Sequence, residues 1–531
     1  MRTLSTFHGG VHPPQHKEES SRLPIAFAPL PQRLIVPLRQ HIGASSTAIV
    51  QPGDQVLKGQ MIAAADGLIS VAVHAPTSGR VVALENHAVP HVSGMPGLCA
   101  IIEADGEERW VARAPLDYRN LAPAVLHQHL RDAGVVGLGG AAFPTHVKLD
   151  PGQQQKIQTL VINGAECEPW ITADDMLMRE RAAEIVAGIQ IMAHMMQPEE
   201  VLIGIEDNKP AAIAAMRQAC QGTNYEVVAV PTLYPTGGEK QLIKVLTGKE
   251  VPSGSRPLSI GVSCSNSGTA YTVHRAVNHG EPVISRVVTV TGNVQRPQNF
   301  EALIGTPIGE LVVLAGGAKA DTTRYILGGP MMGFDLPALD VPLVKSVNCV
   351  IAVSDALFPP APPAMPCIRC GRCAQSCPAD LQPFELYWFS QSRNFDKARA
   401  YQLFDCIECG CCSYVCPSNI PLVSYYRYAK SEIAAIDRDK KAAEIAKERF
   451  EFREARLARE KQQKAALLAQ KQAQLKATAA ADPDAAAKKA AIQAALERAK
   501  ARQAATTAPS ESTNLKTSIE PQRRRGAEEK Q

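Results

Sequence analysis

Two stretches of the chain share one cysteine spacing. From Cys367 the sequence reads Cys-Ile-Arg-Cys-Gly-Arg-Cys-Ala-Gln-Ser-Cys-Pro, and from Cys406 it reads Cys-Ile-Glu-Cys-Gly-Cys-Cys-Ser-Tyr-Val-Cys-Pro. Both follow C-x2-C-x2-C-x3-C-P. In that spacing three thiolates hold three irons of one [4Fe–4S] cube, and the fourth cysteine reaches across to the other cube. The pattern predicts that Cys367, Cys370, Cys373 and Cys416 hold one cluster and that Cys406, Cys409, Cys412 and Cys377 hold a second. Pro378 and Pro417 turn the chain away after each last ligand. Paired zinc sites are the alternative. Four ligands satisfy a zinc ion, which would leave the middle cysteine of each run without a purpose, whereas two interlocked cubes use all eight. Cys411, between two ligands, reads as a packed or hydrogen-bonding thiol.

Two such cubes make a ferredoxin-like domain, expected over residues 355–430. Between the runs, Leu381 to Phe404 is apolar at helical spacing and predicts two short helices. Their aromatic residues are expected to pack against the cubes and exclude water, one lever on cluster potential.

A second set of residues suited to chemistry lies upstream. The stretch from Gly134 to Lys148 is glycine-rich and contains Phe143 and Pro144. It matches neither a dinucleotide fingerprint nor a P-loop. Gly137, Gly139 and Gly140 would let backbone N–H groups approach a phosphate or a flat ring, with Lys148 supplying positive charge; a tight structural turn uses glycine equally well. Thr159-Leu-Val-Ile-Asn163 suits the carboxyl end of a buried parallel strand, where ligands of open α/β sheets bind. The following loop, Asn163-Gly-Ala-Glu-Cys-Glu-Pro169, carries Glu166 and Glu168, which taken alone read as solvated carboxylates. Tyr234 to Lys240 and Cys264 to Thr269 are two further polar loops.

In this order the four segments resemble the FMN-carrying, NADH-oxidising subunit of respiratory complex I. The matching pieces are Gly137 to Lys148, Asn163 to Pro169, Gly238-Glu239 and Ser265-Asn266. The resemblance implies that the glycine loop, Asn163, Glu166, Glu239 and Asn266 cradle FMN, while Phe143, Lys148 and Glu168 meet NADH. The chain departs from that family at Ala165, where an aspartate is usual, at Lys240, which replaces a glutamate, and at Ser265, which replaces an asparagine.

A wider resemblance covers Phe7 to about residue 430. Phe7-His-Gly-Gly-Val-His-Pro-Pro14, Leu327-Gly-Gly-Pro-Met-Met-Gly333 and the doubled cluster motif look like the RnfC (RsxC) family, which belongs to ion-translocating Rnf electron-transport complexes. That implies a peripheral protein on the cytoplasmic side of the cell inner membrane. It would exchange electrons between NAD(H) and ferredoxin-type carriers, and its partners would be the other, membrane-bound subunits that couple the redox flow to ion transport. The implied fold is multidomain α/β plus α+β: a lipoyl-like barrel-sandwich over 1–110, a Rossmann-like FMN/NADH domain over 111–280, a β-grasp module, or soluble ligand-binding domain, over 281–350, the ferredoxin-type domain, and a helical or disordered tail over 431–531. In the barrel, Ile49 to Gly59 and His74 to Gly79 read as its two turns, without the Met-Lys-Met hairpin of a lipoylated domain.

Composition narrows the alternatives. At 531 residues the chain is too long for one core. A net charge of +4, with no basic stripe interleaved with aromatics, argues against nucleic acid. Met1 to Ser20 lacks an apolar h-region, so no secretory signal is expected. No run of about eighteen apolar residues predicts a membrane span. Cys99, Cys220, Cys264 and Cys349 read as small buried residues, and Cys167 sits inside the flavin-type loop. After residue 431 Ala, Lys, Glu, Gln and Arg dominate, which suggests transient helix and linker, broken at Asp482-Pro-Asp484 and disordered from Pro509. Because hydride donors move two electrons and cubes move one, a flavin is the required converter. Two rival readings share these features: a soluble flavin and iron–sulfur reductase of the corrinoid-reductase type, and a non-catalytic conduit and scaffold whose nucleotide site has decayed.

Overall fold

The computed structural model describes residues 2–150, 152, 156–480 and 484–505. By its contacts the chain divides into one unit ending at Ala434 and another beginning at Ala435.

Within the first unit, the strands Arg33–Pro37, Gly97–Ala104, Gly79–His87 and Gln55–Val56 form an antiparallel sheet, and Thr47–Ala48, Met61–Ala64 and Val73–His74 form a second. Their inward residues Leu34, Val36, Ile62, Val73, Val81 and Ile102 build a barrel-sandwich core. The chain before residue 28 stands outside both sheets. Its strand Ala26–Phe27 pairs in parallel with Gln298–Leu303 elsewhere in the unit.

The middle of the chain forms a four-stranded parallel sheet in the order Glu226–Val230, Glu200–Glu206, Thr159–Asn163, Val262–Asn266. These strands are apolar along their length because both faces are covered. Leu160 and Ile162 face helices Ala182–Met196, Pro210–Ala219 and Ser267–His279, while Val161 faces helix Glu239–Thr247 and the N-terminal residues Leu4 and Phe7. Asn163 and Asn266 are register partners at the carboxyl edge of this sheet.

Downstream, a six-stranded mixed sheet runs in the order Ala26–Phe27, Gln298–Leu303, Ser285–Gly292, Cys349–Ser354, Thr322–Leu327, Phe334–Asp335. Helix Ile308–Leu314 packs on it through Ile308, Leu311 and Val312. Strand Cys349–Ser354 lies at the centre of the sheet, so this module runs on to Ser354.

The cysteine runs each place a one-turn helix directly after a left-handed glycine: Arg372–Gln375 after Gly371 and Cys411–Tyr414 after Gly410, with φ of 78° and 82°. Helices Pro383–Gln391 and Phe395–Ala400 separate them. The expected aromatic packing around the cavities is narrower than the sequence pattern suggests. Of the aromatics in Leu381 to Phe404, Phe384 lines a cysteine cavity and Tyr387, Phe389 and Phe395 pack in the core that holds Cys373, Cys377 and Cys412, whereas Trp388, Tyr401 and Phe404 are exposed. Two short helices offer too little inward face for all of them.

A helix of 59 residues spans Leu422–Ala480, and another spans Ala485–Ala505. Where composition suggests transient helix, the structure has a continuous one. Strong helix formers and spaced pairs such as Arg456–Glu460 at 3.6 Å favour it. Asp482 and Pro483, and everything from residue 506 including Pro509, lie outside the described residues. Among the described residues no helix is long and apolar enough to cross a membrane.

Candidate cofactor sites

The eight paired-run cysteines ring two cavities. One is lined by Cys367, Cys370, Cys373 and Cys416, with Phe384, Ile420 and Leu422. The other is lined by Cys377, Cys406, Cys409 and Cys412, with Leu381, Leu386 and Tyr426. Each run therefore sends its fourth cysteine to the other cavity. The walls are mostly apolar, joined in the first cavity by Arg369 and Ser418. Burial pushes the Cys406 thiol up to about 11 and Cys412 further still. Thiols in such a setting become thiolates readily only when metal cations offset the lost hydration. Four thiols around an apolar cavity, twice over, fit an iron–sulfur cube at each position.

The second cavity abuts the parallel-sheet domain. The Tyr234 hydroxyl donates to the Cys409 carbonyl at 2.7 Å. A Cβ on Gly410 would stand 2.6 Å from the Met331 carbonyl oxygen, so only glycine allows that approach. Cys411 is buried there among Val11, Tyr234, Cys167, Met331 and Ile407. Its thiol hydrogen-bonds to Cys409, which lowers the Cys409 pKa. Cys167 packs in this contact, beside Gly237.

At the carboxyl edge of the parallel sheet, Asn163 donates through Nδ2 to the Gly237 carbonyl at 2.8 Å and accepts from the Ala165 N–H. Asn266 caps helix Ser267–His279 by accepting from the Thr269 N–H, and donates to Asp174 Oδ2 at 2.6 Å. Glu166 accepts from the N–H groups of Asp174 and Asp175, at the start of helix Ala173–Glu180. Burial raises its pKa to about 7, against the opposing pull of Lys17. Gly139 comes up against Asn266, and Gly137 donates to the Phe143 carbonyl, closing the glycine loop. Gly140 has φ of 117° and open space where a side chain would stand. Ser265 and Ser267, on either side of Asn266, carry buried hydroxyls with no partner among the described residues. That leaves polar capacity at the edge where a ligand would sit.

Lys148 pairs with Glu239 at 2.5 Å. Burial works against the Lys148 charge, yet Glu239 and Cys264 hold its pKa above the ordinary lysine range. Glu168 lies apart from both groups. Its carboxylate accepts from the N–H groups of Met331 and Met332 at 2.7 and 2.9 Å, and a Cβ on Gly329 would overlap it. Burial raises the Glu168 pKa despite those donors.

Sequence patterns do not single out Lys17, Asp174 or the role of Tyr234. The buried Lys17 ammonium donates to the carbonyls of Glu166, Glu168 and Ile171. His16 beside it stacks on Trp170 at 4.2 Å. No periodicity marks this N-terminal stretch. Asp174 is visible in the sequence only as an acid in the first turn of a helix. Of the positions that depart from the complex I pattern, Ala165 is fully buried and Lys240 reaches Asp405 at 3.8 Å.

Comparison with known proteins gives family likenesses for these domains. Family models match the RnfC barrel sandwich hybrid domain over residues 5–107, the Nuo51 FMN-binding domain over 130–275, the SLBB domain over 287–335 and the 4Fe-4S dicluster domain over 366–420. The RnfC protein of the ion-translocating oxidoreductase complex of Pseudomonas aeruginosa is 50% identical over 468 residues, covering 88% of this chain and 60% of that protein. The proteins of the same name from Pectobacterium carotovorum and Yersinia pestis are 50% and 51% identical, covering 94% and 86% of this chain and 66% and 74% of their own lengths. The chain thus spans about two thirds of the length of such relatives. Among solved structures, an NAD+-reducing [NiFe]-hydrogenase in its air-oxidised state matches 59% of this chain and 63% of its own at 20% identity, with a TM-score of 0.43.

Proposed function

The chain belongs to the RnfC family of ion-translocating oxidoreductase complexes, and on that premise we propose that it is the peripheral component through which such a complex exchanges electrons between NAD(H) and ferredoxin-type carriers. It works on the cytoplasmic side of the inner membrane, with FMN and two [4Fe–4S] clusters, and the membrane subunits couple the electron flow to ion transport. The observation that carries this reading is the crossed pair of four-cysteine cavities, one of them packed against the loops at the carboxyl edge of the parallel sheet.

FMN, when bound, supplies the conversion between a hydride pair and single electrons. The backbone of Gly137, Gly139 and Gly140 offers N–H groups and close approach, and Asn163, Asn266 and the hydroxyls of Ser265 and Ser267 offer polar contacts. Lys148, kept charged by Glu239, holds a cation beside the glycine loop, suited to the phosphates of flavin or nucleotide. Phe143, partly exposed on that loop, offers a ring face to a nicotinamide. Leu381, Leu386 and Tyr426 exclude water from the cavity nearer this edge, and Tyr234 holds that cavity against the loops. The other cavity, with Cys370 exposed, is the outer station.

A second reading, a conduit without nucleotide chemistry, draws on Ala165, whose side chain offers no polar atom, and on Glu168, whose carboxylate is engaged by Met331 and Met332. One experiment decides. The full chain is reconstituted anaerobically with iron, sulfide and FMN, and NADH is added in a stopped-flow instrument. Flavin bleaching followed by cluster bleaching supports the entry module; two clusters with no response to NADH leave the conduit.

A further inference from the structure

The doubled cysteine motif supplies an internal comparison, because each position in one run has a counterpart 39 residues on. Gly371 and Gly410 occupy equivalent places, share the left-handed conformation, and are each followed at once by a one-turn helix. The backbone is therefore repeated, but the side chain on the first residue of each helix is not. In the first run it is Arg372, which is exposed; in the second it is Cys411, which is fully buried.

Cys411 has no place among the ligands, since each cavity has its four cysteines without it. It is enclosed by Val11, Tyr234, Cys167 and Met331. Two acceptors lie within its reach. The Tyr234 carbonyl, 4.0 Å away, already accepts from the Val11 N–H at 2.8 Å. The other is the sulfur of Cys409, to which the Cys411 thiol donates. The two cavities also differ in depth. In the inner one, that of the Cys406 set, Cys377, Cys409 and Cys412 are buried; in the outer one only Cys373 is, and Cys370 is exposed. One-electron reduction of a cube adds a negative charge, which burial opposes and a hydrogen bond to a ligand sulfur stabilises. Depth alone would make the inner cluster the harder of the two to reduce.

We propose that Cys411 acts through Cys409 to raise the reduction potential of the inner cluster, offsetting the depth of that cavity and bringing the two clusters closer in potential. This rests on the two-cluster part of the function above and not on the NADH part. Cys411 keeps its proton in both redox states. One electron enters, no bond forms or breaks, and the S–H dipole meets the added charge on the Cys409 sulfur. The turn that aims the thiol is held from outside, because the Met331 carbonyl lies against Gly410 and leaves no room for a side chain there.

The test uses the full chain reconstituted anaerobically with iron and sulfide, so that NADH plays no part. Redox titrations followed by EPR give the potential of each cluster. Cys411→Ala is expected to make the inner cluster about tenfold harder to reduce, a shift of about 59 mV to the negative side, and to leave the outer one in place. Cys411→Ser keeps a donor at the position and is expected to recover most of that shift. Water entering the space left by alanine would move the potential the opposite way, so the sign separates a lost hydrogen bond from simple loosening. Infrared difference spectra of the native chain, oxidised minus reduced, are expected to show an S–H stretching band that shifts on reduction and is missing in Cys411→Ala. Should the alanine variant fail to hold its inner cluster, that band in the native chain decides alone. An inner potential that stays or rises in Cys411→Ala, or two native clusters with no responsive S–H band, would overturn the role of Cys411 alone; a native chain that holds no iron would overturn the two-cluster reading with it.

Discussion

Tyr234 joins two parts of the first unit through a single buried hydroxyl, donating to the carbonyl of Cys409 at 2.7 Å while its backbone exchanges two hydrogen bonds with Val11. Removing the hydroxyl leaves that carbonyl buried without a donor. Tyr234→Phe is expected to cost about 1–2 kcal/mol in chemical denaturation. In a redox titration it should also shift the potential of the Cys406, Cys409, Cys412 and Cys377 cluster and leave the other in place.

The crossed ligand sets give an outcome that neighbourhood in sequence would not. Cys377 belongs to the first run but lines the cavity of the second. Cys377→Ser is therefore expected to disturb the EPR signal of the Cys406 set and spare that of the Cys367 set, and Cys416→Ser the reverse. Identical losses from both variants would contradict the crossing.

Lys345 is buried with its ammonium donating to the carbonyls of Ala72 and Gly134, and no carboxylate among the described residues pairs with it. Burial lowers its pKa to about 7. The unfolded chain then holds one more proton than the folded one between about pH 7 and the ordinary lysine range. Stability should rise with pH across that window and carry the full cost below it. Denaturation midpoints from about pH 7 to about pH 10 should show this rise in the native chain and a flatter profile in Lys345→Met.

Lys17 binds three carbonyls of the loop that carries Glu166 and Glu168. Lys17→Met is expected to cost about 3 kcal/mol, since three buried acceptors lose a charged donor. A fluorescence titration should show weaker FMN binding, because the loop at the sheet edge is then unpinned. Lys17→Arg, too broad for the same pocket, should rescue only part of either loss.

The parts legible in the sequence are those whose chemistry is local. The cysteine spacing yields the two four-cysteine groupings that line the cavities because cube geometry dictates the short intervals, and Thr159–Asn163 reads as a strand because burial on both faces leaves an unbroken apolar run. Glu166 and Glu168, adjacent but for one residue, read alike in sequence, yet one caps a helix and the other is held by the Met331–Met332 turn. That separation depends on a segment more than a hundred residues away, so no local pattern reports it. Lys17 is invisible for the same reason: its three acceptors lie about 150 positions along the chain. The long helix from Leu422 exceeds what composition suggests because its propensity is plain, while its length depends on the absence of any breaker before residue 481.

His8 bonds to the carbonyl of Cys377 across 369 positions, and Gly10 donates to Ser376 beside it. During synthesis the segment around His8 leaves the ribosome long before either partner has been translated. These residues must therefore wait, unlatched, while the barrel and the sheets fold in turn. Until the latch closes, the carbonyls of Ser376 and Cys377 lack their N-terminal partners. Residues made early are thus among the last to find their place.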